Sequence, residues 1–410
     1  MYKEICEYLT REIYPFHMPG HKRNPEFFPR DFFPLDLTEL PETDILSQPK
    51  GMIKNLQKKI ANFYGAGESF FLVNGASSGI VAAICATCNE KTPLFVPRNA
   101  HVSLYNGLVF SGAKPTYYFP EITSCGIAAG VEPKIFDTLP HGAVVFVVSP
   151  TYEGFVSDIA AIAKKVHACD GVLIVDEAHG AHFAFHDYFP ATALSCGADI
   201  VINSLHKTLP AMSGCAVLHA KKNFPRLQFF INAMQTTSPS FAMLAACDFM
   251  LEKLWNDASL FEKYISRLKD FRKNAPSCLY GREMVGQRAI HDMDLGKLFF
   301  SCAKPAEKIA EVFARDHKVQ LEMAKGNHFL AMTSVADTQE GFDRLKAAVS
   351  NVAAGKIFPR TKINLPEQML TPREAMLGEH SEQISAKLIA EYPPGIATLV
   401  PGERNFHAKI

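Results

Sequence analysis

From about Gly51 to His219 the chain alternates short apolar runs with longer, helix-like stretches. The runs are FFLV (Phe70–Val73), PLFV (Pro93–Val96), AVVFVV (Ala143–Val148), VLIV (Val172–Val175), DIVIN (Asp199–Asn203) and AVLH (Ala216–His219). Most are continuous rather than alternating, which predicts strands buried on both faces of a largely parallel sheet. SDIAAIAKKVHAC, Ser157–Cys169, reads as a connecting helix with Ser157 as N-cap and Gly171 following its end. The pattern changes after a helical stretch near Leu251–Arg272. KLFFSC, PAEKIAEVFARDH, HFLAMTS and TQEGFDRLKAAVSNV then predict a smaller α+β unit. The expected organisation is an irregular arm rich in Pro and Phe over residues 1–50 and a large α/β domain over 51–275. A small α+β domain over 276–370 and a C-terminal segment over 371–410 follow.

Composition narrows the function. The chain has 410 residues, enough for more than one domain, and is 48% hydrophobic and 20% charged, as in a globular enzyme. Lys plus Arg and Asp plus Glu number 42 each, so there is no basic footprint for nucleic acid. The N-terminus is charged throughout and unlike a signal peptide, and no uncharged apolar run approaches a membrane span. With ten scattered cysteines, this points to a reducing cytoplasm and free thiols. Cys85 and Cys88 form a C-x-x-C inside IVAAICATC. They read as helix core positions, with a redox or metal role as the alternative.

Three stretches carry candidate chemistry. In FFLVNGASSGI a strand runs into a small-residue loop and an apolar helix. A helix N-terminus offers unpaired N–H groups, so Ala76, Ser77 and Ser78 form either a phosphate cradle or an ordinary cap. In VLIVDEAHGAH, Asp176 directly follows a buried run, where an acid is costly without a cationic partner such as a protonated heterocyclic nitrogen. The letters DEAH also occur in helicases, but that reading needs a G-x-x-x-x-G-K-[ST] loop, which the chain lacks. His179 and His182 have no clear third metal ligand nearby and read as a surface or core pair. In NSLHKTLP, Lys207 follows the strand DIVIN, flanked by Ser204 and His206. A partly desolvated lysine is a nucleophile toward carbonyls. A phosphate loop, then an acid at a strand end, then a lysine at another strand end is the set that pyridoxal phosphate requires.

The chain resembles the Orn/Lys/Arg decarboxylase family (group III) of pyridoxal-phosphate enzymes, of the aspartate aminotransferase fold, or fold type I. The resemblance runs through HMPGHK (His17–Lys22), LTELPETDIL (Leu37–Leu46), FFLVNGASSGI, VPRNAHVS (Val96–Ser103) and SPTYEGFVSDI (Ser149–Ile159). It continues through VDEAHGAHF, SLHKTLPA, TPREAM and YPPGIATLVPGE. It implies a mainly parallel seven-stranded sheet in a large domain, with a smaller α+β domain beside it. Lys207 would be the Schiff-base lysine, Asp176 the partner of the pyridine nitrogen and His101 the ring-stacking histidine. Ala76, Ser77, Ser204 and His206 would contact phosphate, and Ala178 would pack on the other ring face.

The resemblance further implies decarboxylation of lysine, arginine or ornithine in a cytoplasmic homodimer with interface active sites, where HMPGHK or the tail completes the neighbour's site. Glu39, Asp44 and Glu403 are candidates for the substrate's cationic end. Another fold-type-I reaction or a catalytically idle paralogue is the alternative, and Arg373 is the arginine to watch for a transaminase clamp. The sequence departs from the pattern at Ser213 and Gly214, where the family carries Thr-Gln, and at Ala76, where it often carries Thr. It matches a short form without a wing domain and with a cut-down C-terminal region.

Overall fold

In a computed structural model, which describes residues 13–17, 20–22, 24–27, 35–40, 43–123, 126–355, 368–378, 384–391 and 395–404, the six apolar runs are strands of one sheet. The strands are β1 (Glu68–Leu72), β2 (Leu94–Pro97), β3 (Pro115–Tyr118), β4 (Val144–Val148), β5 (Val172–Asp176), β6 (Ile200–Ser204) and β7 (Ala216–Ala220). Their order is β1-β7-β6-β5-β4-β2-β3. Strand β7 runs antiparallel to both neighbours, and all other pairs are parallel. The sheet has seven strands because of β3, an edge strand whose sequence PTYY offers no apolar run.

Successive side chains of a strand point to opposite faces. Val144, Phe146, Ile174, Ile200 and Ile202 enter one apolar core, and Val145, Val147, Leu173, Val175 and Val201 enter another. Both faces are covered, so neither needs polar residues. Helices α1 (Met52–Tyr64), α2 (Gly75–Thr87), α3 (Val102–Ser111), α4 (Ile159–His167), α5 (Phe241–Asn256) and α6 (Ser259–Lys273) surround the sheet. Helix α2 packs closely: a Cβ at Gly79 would lie 2.5 Å from Leu72 Cδ1. Helix α4 is capped by Asp158, whose Oδ1 accepts the Ala161 amide at 2.9 Å. Ser157, the expected cap, instead accepts the Val131 amide at 3.0 Å.

A second, antiparallel sheet has the order β8-β10-β9, with β8 at Lys297–Ser301, β9 at Met323–Lys325 and β10 at His328–Met332. Helices α7 (Ala306–Asp316) and α8 (Gln339–Val349) accompany it. The N-terminal arm is less irregular than expected. Tyr14–Phe16 pairs in parallel with Val319–Leu321, and Lys22 Nζ donates to the Met332 carbonyl at 2.8 Å. Helix α9 (Pro372–Leu377) starts with a capping box between Thr371 and Glu374. The tail then returns to the start of α3, where Ile396 bridges its N-cap, His101.

The eight cysteines among the described residues are free. Cys85 lies in α2 and Cys88 caps its end. Burial pushes their thiols up, to about 11 and about 12 respectively. Among the described residues, no helix is long and apolar enough to cross a membrane.

Candidate active site

The carboxyl ends of β4, β5 and β6 and the amino ends of α2 and α3 surround a cavity of about 690 Å³. The ends of parallel strands are where α/β folds bind ligands. Ala76, Ser77, His101, Asp176, Ala178, Ser204, His206 and Lys207 all line it. Ser78 does not; its hydroxyl donates to the Gly75 carbonyl at 2.8 Å, within the first turn of α2.

Helix α2 opens on the cavity without a side-chain cap, since Asn74 makes no capping bond. Gly75 has φ +74° and donates its amide to the Gly214 carbonyl at 2.9 Å. Gly214, with φ +90°, holds a backbone conformation that favours glycine. The next amides of α2, Ala76 and Ser77, are first-turn donors with no intrahelical acceptor. They give the cavity an end suited to an anion.

Asp176 is the last residue of β5, and Lys207 lies on the short helical turn that follows β6. Asp176 is buried, and its Oδ1 accepts the Ala178 amide at 3.1 Å. Burial pushes its carboxyl up, against the pull of the Lys207 ammonium. Burial pushes the Lys207 amine down, against the Asp176 and Glu322 carboxylates. His101 is the N-cap of α3, with Nδ1 accepting the Ser103 amide at 3.2 Å. Burial, then the Lys207 charge, lowers its imidazole to about 4. His206 Nδ1 donates to the Cys215 carbonyl at 3.0 Å.

The two histidines of VDEAHGAH divide. His179 lines the cavity, with Nε2 3.1 Å from Lys207 Nζ and Nδ1 2.7 Å from Lys297 Nζ. His182 is buried, with Nε2 3.2 Å from Asp294 Oδ1. Among the described residues, no group of three His, Cys, Asp or Glu side chains could hold a metal ion.

The structure does not bring the proposed substrate acids to this cavity. Glu39 accepts the Leu46 amide at 2.7 Å within its own loop. Asp44 accepts the amides of Ile45, Lys50, Gly51, Ile53 and Lys54 at 2.8–3.3 Å, which fixes the start of α1. Burial opposes its charge, but those amides hold the carboxyl below the usual range. Glu403 is taken by Arg98. Arg373 donates to the carbonyls of Val109 and Phe110 at the end of α3 and to Glu90, so it clamps no ligand here.

Sequence reasoning missed other lining residues. Tyr152 and Glu153 stood unremarked inside the matched block SPTYEGFVSDI. Lys325 and His328 come from distant parts of the chain with no local signal, and Ile396 and Thr398 lie inside the matched block YPPGIATLVPGE. Burial pushes the Glu153 carboxyl up. His328 is pushed down by burial, and its Nε2 is enclosed without a partner.

A family model for the Orn/Lys/Arg decarboxylase major domain matches residues 1–350. An arginine decarboxylase of Bacillus cereus is 30% identical, spanning 100% of this chain and 98% of the relative. One of Bacillus anthracis is 32% identical over 98% of this chain and 90% of its own length. The solved constitutive lysine decarboxylase of E. coli superposes with a TM-score of 0.75 at 17% identity, covering 95% of this chain and 72% of that one. The fold is thus the α/β fold of type I, which an aspartate aminotransferase of Thermus thermophilus also shares, at a TM-score of 0.56 and 13% identity over 75% of this chain and 95% of that one. The chain belongs to the Orn/Lys/Arg decarboxylase family.

Proposed function

We propose that the protein is a pyridoxal-phosphate-dependent decarboxylase of a basic amino acid, with arginine the first substrate to test. The observation that carries this is the meeting of Lys207, Asp176, His101 and the uncapped start of α2 around one cavity. Arginine comes first because the relatives matched over nearly their whole length are named arginine decarboxylases.

The residues present fit the cofactor. The first-turn amides of α2 with the hydroxyls of Ser77 and Ser204 offer donors for a phosphate. Asp176 has one carboxylate oxygen committed to the Ala178 amide and the other left for a protonated ring nitrogen. The His101 ring and Ala178 supply the two ring faces, and Lys207 supplies a buried amine. When bound, the cofactor supplies a carbonyl that captures the substrate amine and a ring that accepts the electron pair left by departing CO2.

The chain's own groups do the rest. Asp176 keeps a proton on the ring nitrogen. Lys207 would hold the cofactor through its buried amine. Ile127, Ile396 and the Tyr152 ring give the cavity an apolar wall that limits water around the reacting groups. The proton returned to Cα comes from Lys207 Nζ or from His101 Nε2, which carries the ring proton because Nδ1 accepts the Ser103 amide. Among the described residues the lining carries two carboxylates, Asp176 and Glu153. With Asp176 committed, Glu153 takes over from Glu39, Asp44 and Glu403 as the candidate for the substrate's cationic end.

Pairing of two copies in the cytoplasm belongs to the same reading. The exposed Leu37, Leu40, Ile45 and Met52 side chains support an apolar contact beside α1. Sedimentation that gives a monomer at assay concentrations would remove the dimer.

The test of function is product detection. The purified protein, supplied with pyridoxal phosphate and arginine, lysine or ornithine, should release CO2 and the matching amine, and Lys207→Ala should release neither. No amine from any of the three would overturn the reading.

A further inference from the structure

Behind the cavity wall lies a second buried lysine. Lys297 opens β8, is 1% exposed and does not line the cavity. Its stem fills space left by Gly154, where a Cβ would sit 2.9 Å from Lys297 Cγ, and its ammonium lies 6.0 Å from the Tyr152 ring centre. It meets no substrate, yet it touches the histidine that touches Lys207.

The three nitrogen centres obey a proton count. His179 bridges Lys297 Nζ at Nδ1 (2.7 Å) and Lys207 Nζ at Nε2 (3.1 Å). Burial, the largest effect, keeps the imidazole neutral. A neutral imidazole has one N–H and one lone pair. The lone pair accepts from a lysine, but the N–H needs a lysine with a lone pair of its own. Both contacts are hydrogen bonds only if one lysine is uncharged. The shorter contact marks the charge-assisted side, which is Lys297.

We propose that Lys297 is a positioning residue that, acting through His179, keeps Lys207 as the free amine required for attack on a carbonyl. This rests on the reading of Lys207 as the cofactor lysine. The transfer balances: a proton leaves Lys207 Nζ for His179 Nε2 while the proton on Nδ1 passes to Lys297 Nζ. The imidazole ends neutral in its other tautomer, and the total charge is unchanged.

The surroundings suit the exchange. Lys297 faces Asp294 from the turn before β8, Glu322 from the segment before β9, Glu153 from the loop after β4 and Lys22 from the N-terminal arm. Asp294 Oδ2 is buried without a hydrogen-bond partner and favours a cation nearby. Lys207 faces Asp176, Glu322, His101 and His206. Burial, against Asp294 and Glu322, brings the Lys297 amine down to about 7, so it exchanges a proton in the neutral range.

The test uses cofactor-free protein and reads the rate at which pyridoxal phosphate plus borohydride marks Lys207, located by peptide mass, as a function of pH. Lys297→Met should move the midpoint up by about one pH unit and slow trapping at pH 7 about tenfold, because Lys207 loses its cationic neighbour. Lys297→Arg, whose guanidinium is permanently charged and accepts no proton, should keep the midpoint at or below that of the parent. An unchanged midpoint in Lys297→Met overturns the proposal. Absence of a Lys207 adduct in the parent overturns the cofactor reading instead. A second measurement needs no substitution. In histidine-labelled parent protein at neutral pH, 15N shifts should show His179 Nδ1 bare and Nε2 protonated. The opposite tautomer overturns the proposal even if Lys297→Met does not fold.

Discussion

Arg98 and Glu403 form a doubly hydrogen-bonded ion pair, Nε to Oε1 at 2.9 Å and Nη2 to Oε2 at 2.8 Å, with both side chains buried. Arg98 Nη1 also donates to the Ala397 carbonyl at 3.0 Å. The pair therefore fastens the strand carrying Ile396 and Thr398, two cavity-lining residues, to the end of β2. Removing one partner of a buried pair leaves an uncompensated charge, at a cost of about 3–5 kcal/mol. Arg98→Met should loosen residues 395–404 by about that much, read as faster amide exchange there and weaker cofactor retention. Arg98→Met with Glu403→Met should lose less than the two single changes summed. Unaltered exchange in Arg98→Met would show that the tail is held by other contacts.

Asp44 gives the opposite kind of prediction. Its carboxylate gathers five backbone amides around the start of α1. Asp44→Ala should lower global stability by about 1–2 kcal/mol, the range for losing a helix cap. KM for the basic substrate should stay unchanged. Denaturant midpoints and steady-state kinetics on the same sample decide it. A raised KM with unchanged stability would return Asp44 to the substrate site.

Glu153 should behave as the acid that Asp44 is not. A charged hydrogen bond contributes about 1.5–3 kcal/mol, so Glu153→Gln should raise KM for the basic substrate about 10- to 100-fold, with a smaller effect on kcat. An uncharged substrate analogue should be nearly indifferent to the change. Equal losses on both would assign Glu153 to the reaction centre rather than to the cationic end.

These contrasts mark what the sequence could and could not carry. Strands β4, β5 and β6 were legible because each feeds two apolar cores and so reads as an unbroken apolar run. Strand β3 was not, because an edge strand need not be apolar. Asp176 directly follows a buried run, Lys207 comes shortly after another, and both line the cavity. Glu39, Asp44 and Glu403 lie in matched blocks. A block does not say whether a carboxylate faces amides, an arginine or a cavity. The role of His179 was hidden for a different reason: its partner Lys297 is 118 residues away, and only packing brings β8 beneath the cavity wall.

Asp176 tests the electronic half of the proposed chemistry. It is buried, and its free oxygen is the acceptor for a protonated ring nitrogen. Asp176→Ala should still take up pyridoxal phosphate, since the anion-binding amides of α2 are untouched. Turnover should fall by at least about 10²-fold, as for loss of one preorganised electrostatic group. Absorbance of the bound cofactor and single-turnover amine release measure the two separately. Unchanged turnover would remove Asp176 from its role.

His219 predicts how stability depends on pH. It lies on β7, is 0% exposed and packs against the Tyr64 ring, with ring centres 4.5 Å apart and planes tilted by 33°. Its Nδ1 meets Ser69 Oγ at 2.7 Å, and its Nε2 is buried without a partner. Nothing there receives an imidazolium, and burial lowers the group to about 3. The unfolded chain takes up this proton below about pH 6.5, while the folded chain declines it until far lower. The unfolded state therefore binds more protons between those values, so the folded state loses stability as pH falls through that window. From pH 7 to pH 5 the loss from this residue is about 2 kcal/mol. His101 contributes in the same direction, so the measurement is a difference. Urea midpoints at pH 7 and pH 5 should fall further in the parent than in His219→Leu, by about that amount. Equal falls would mean that His219 is protonated, or solvated, in the folded state.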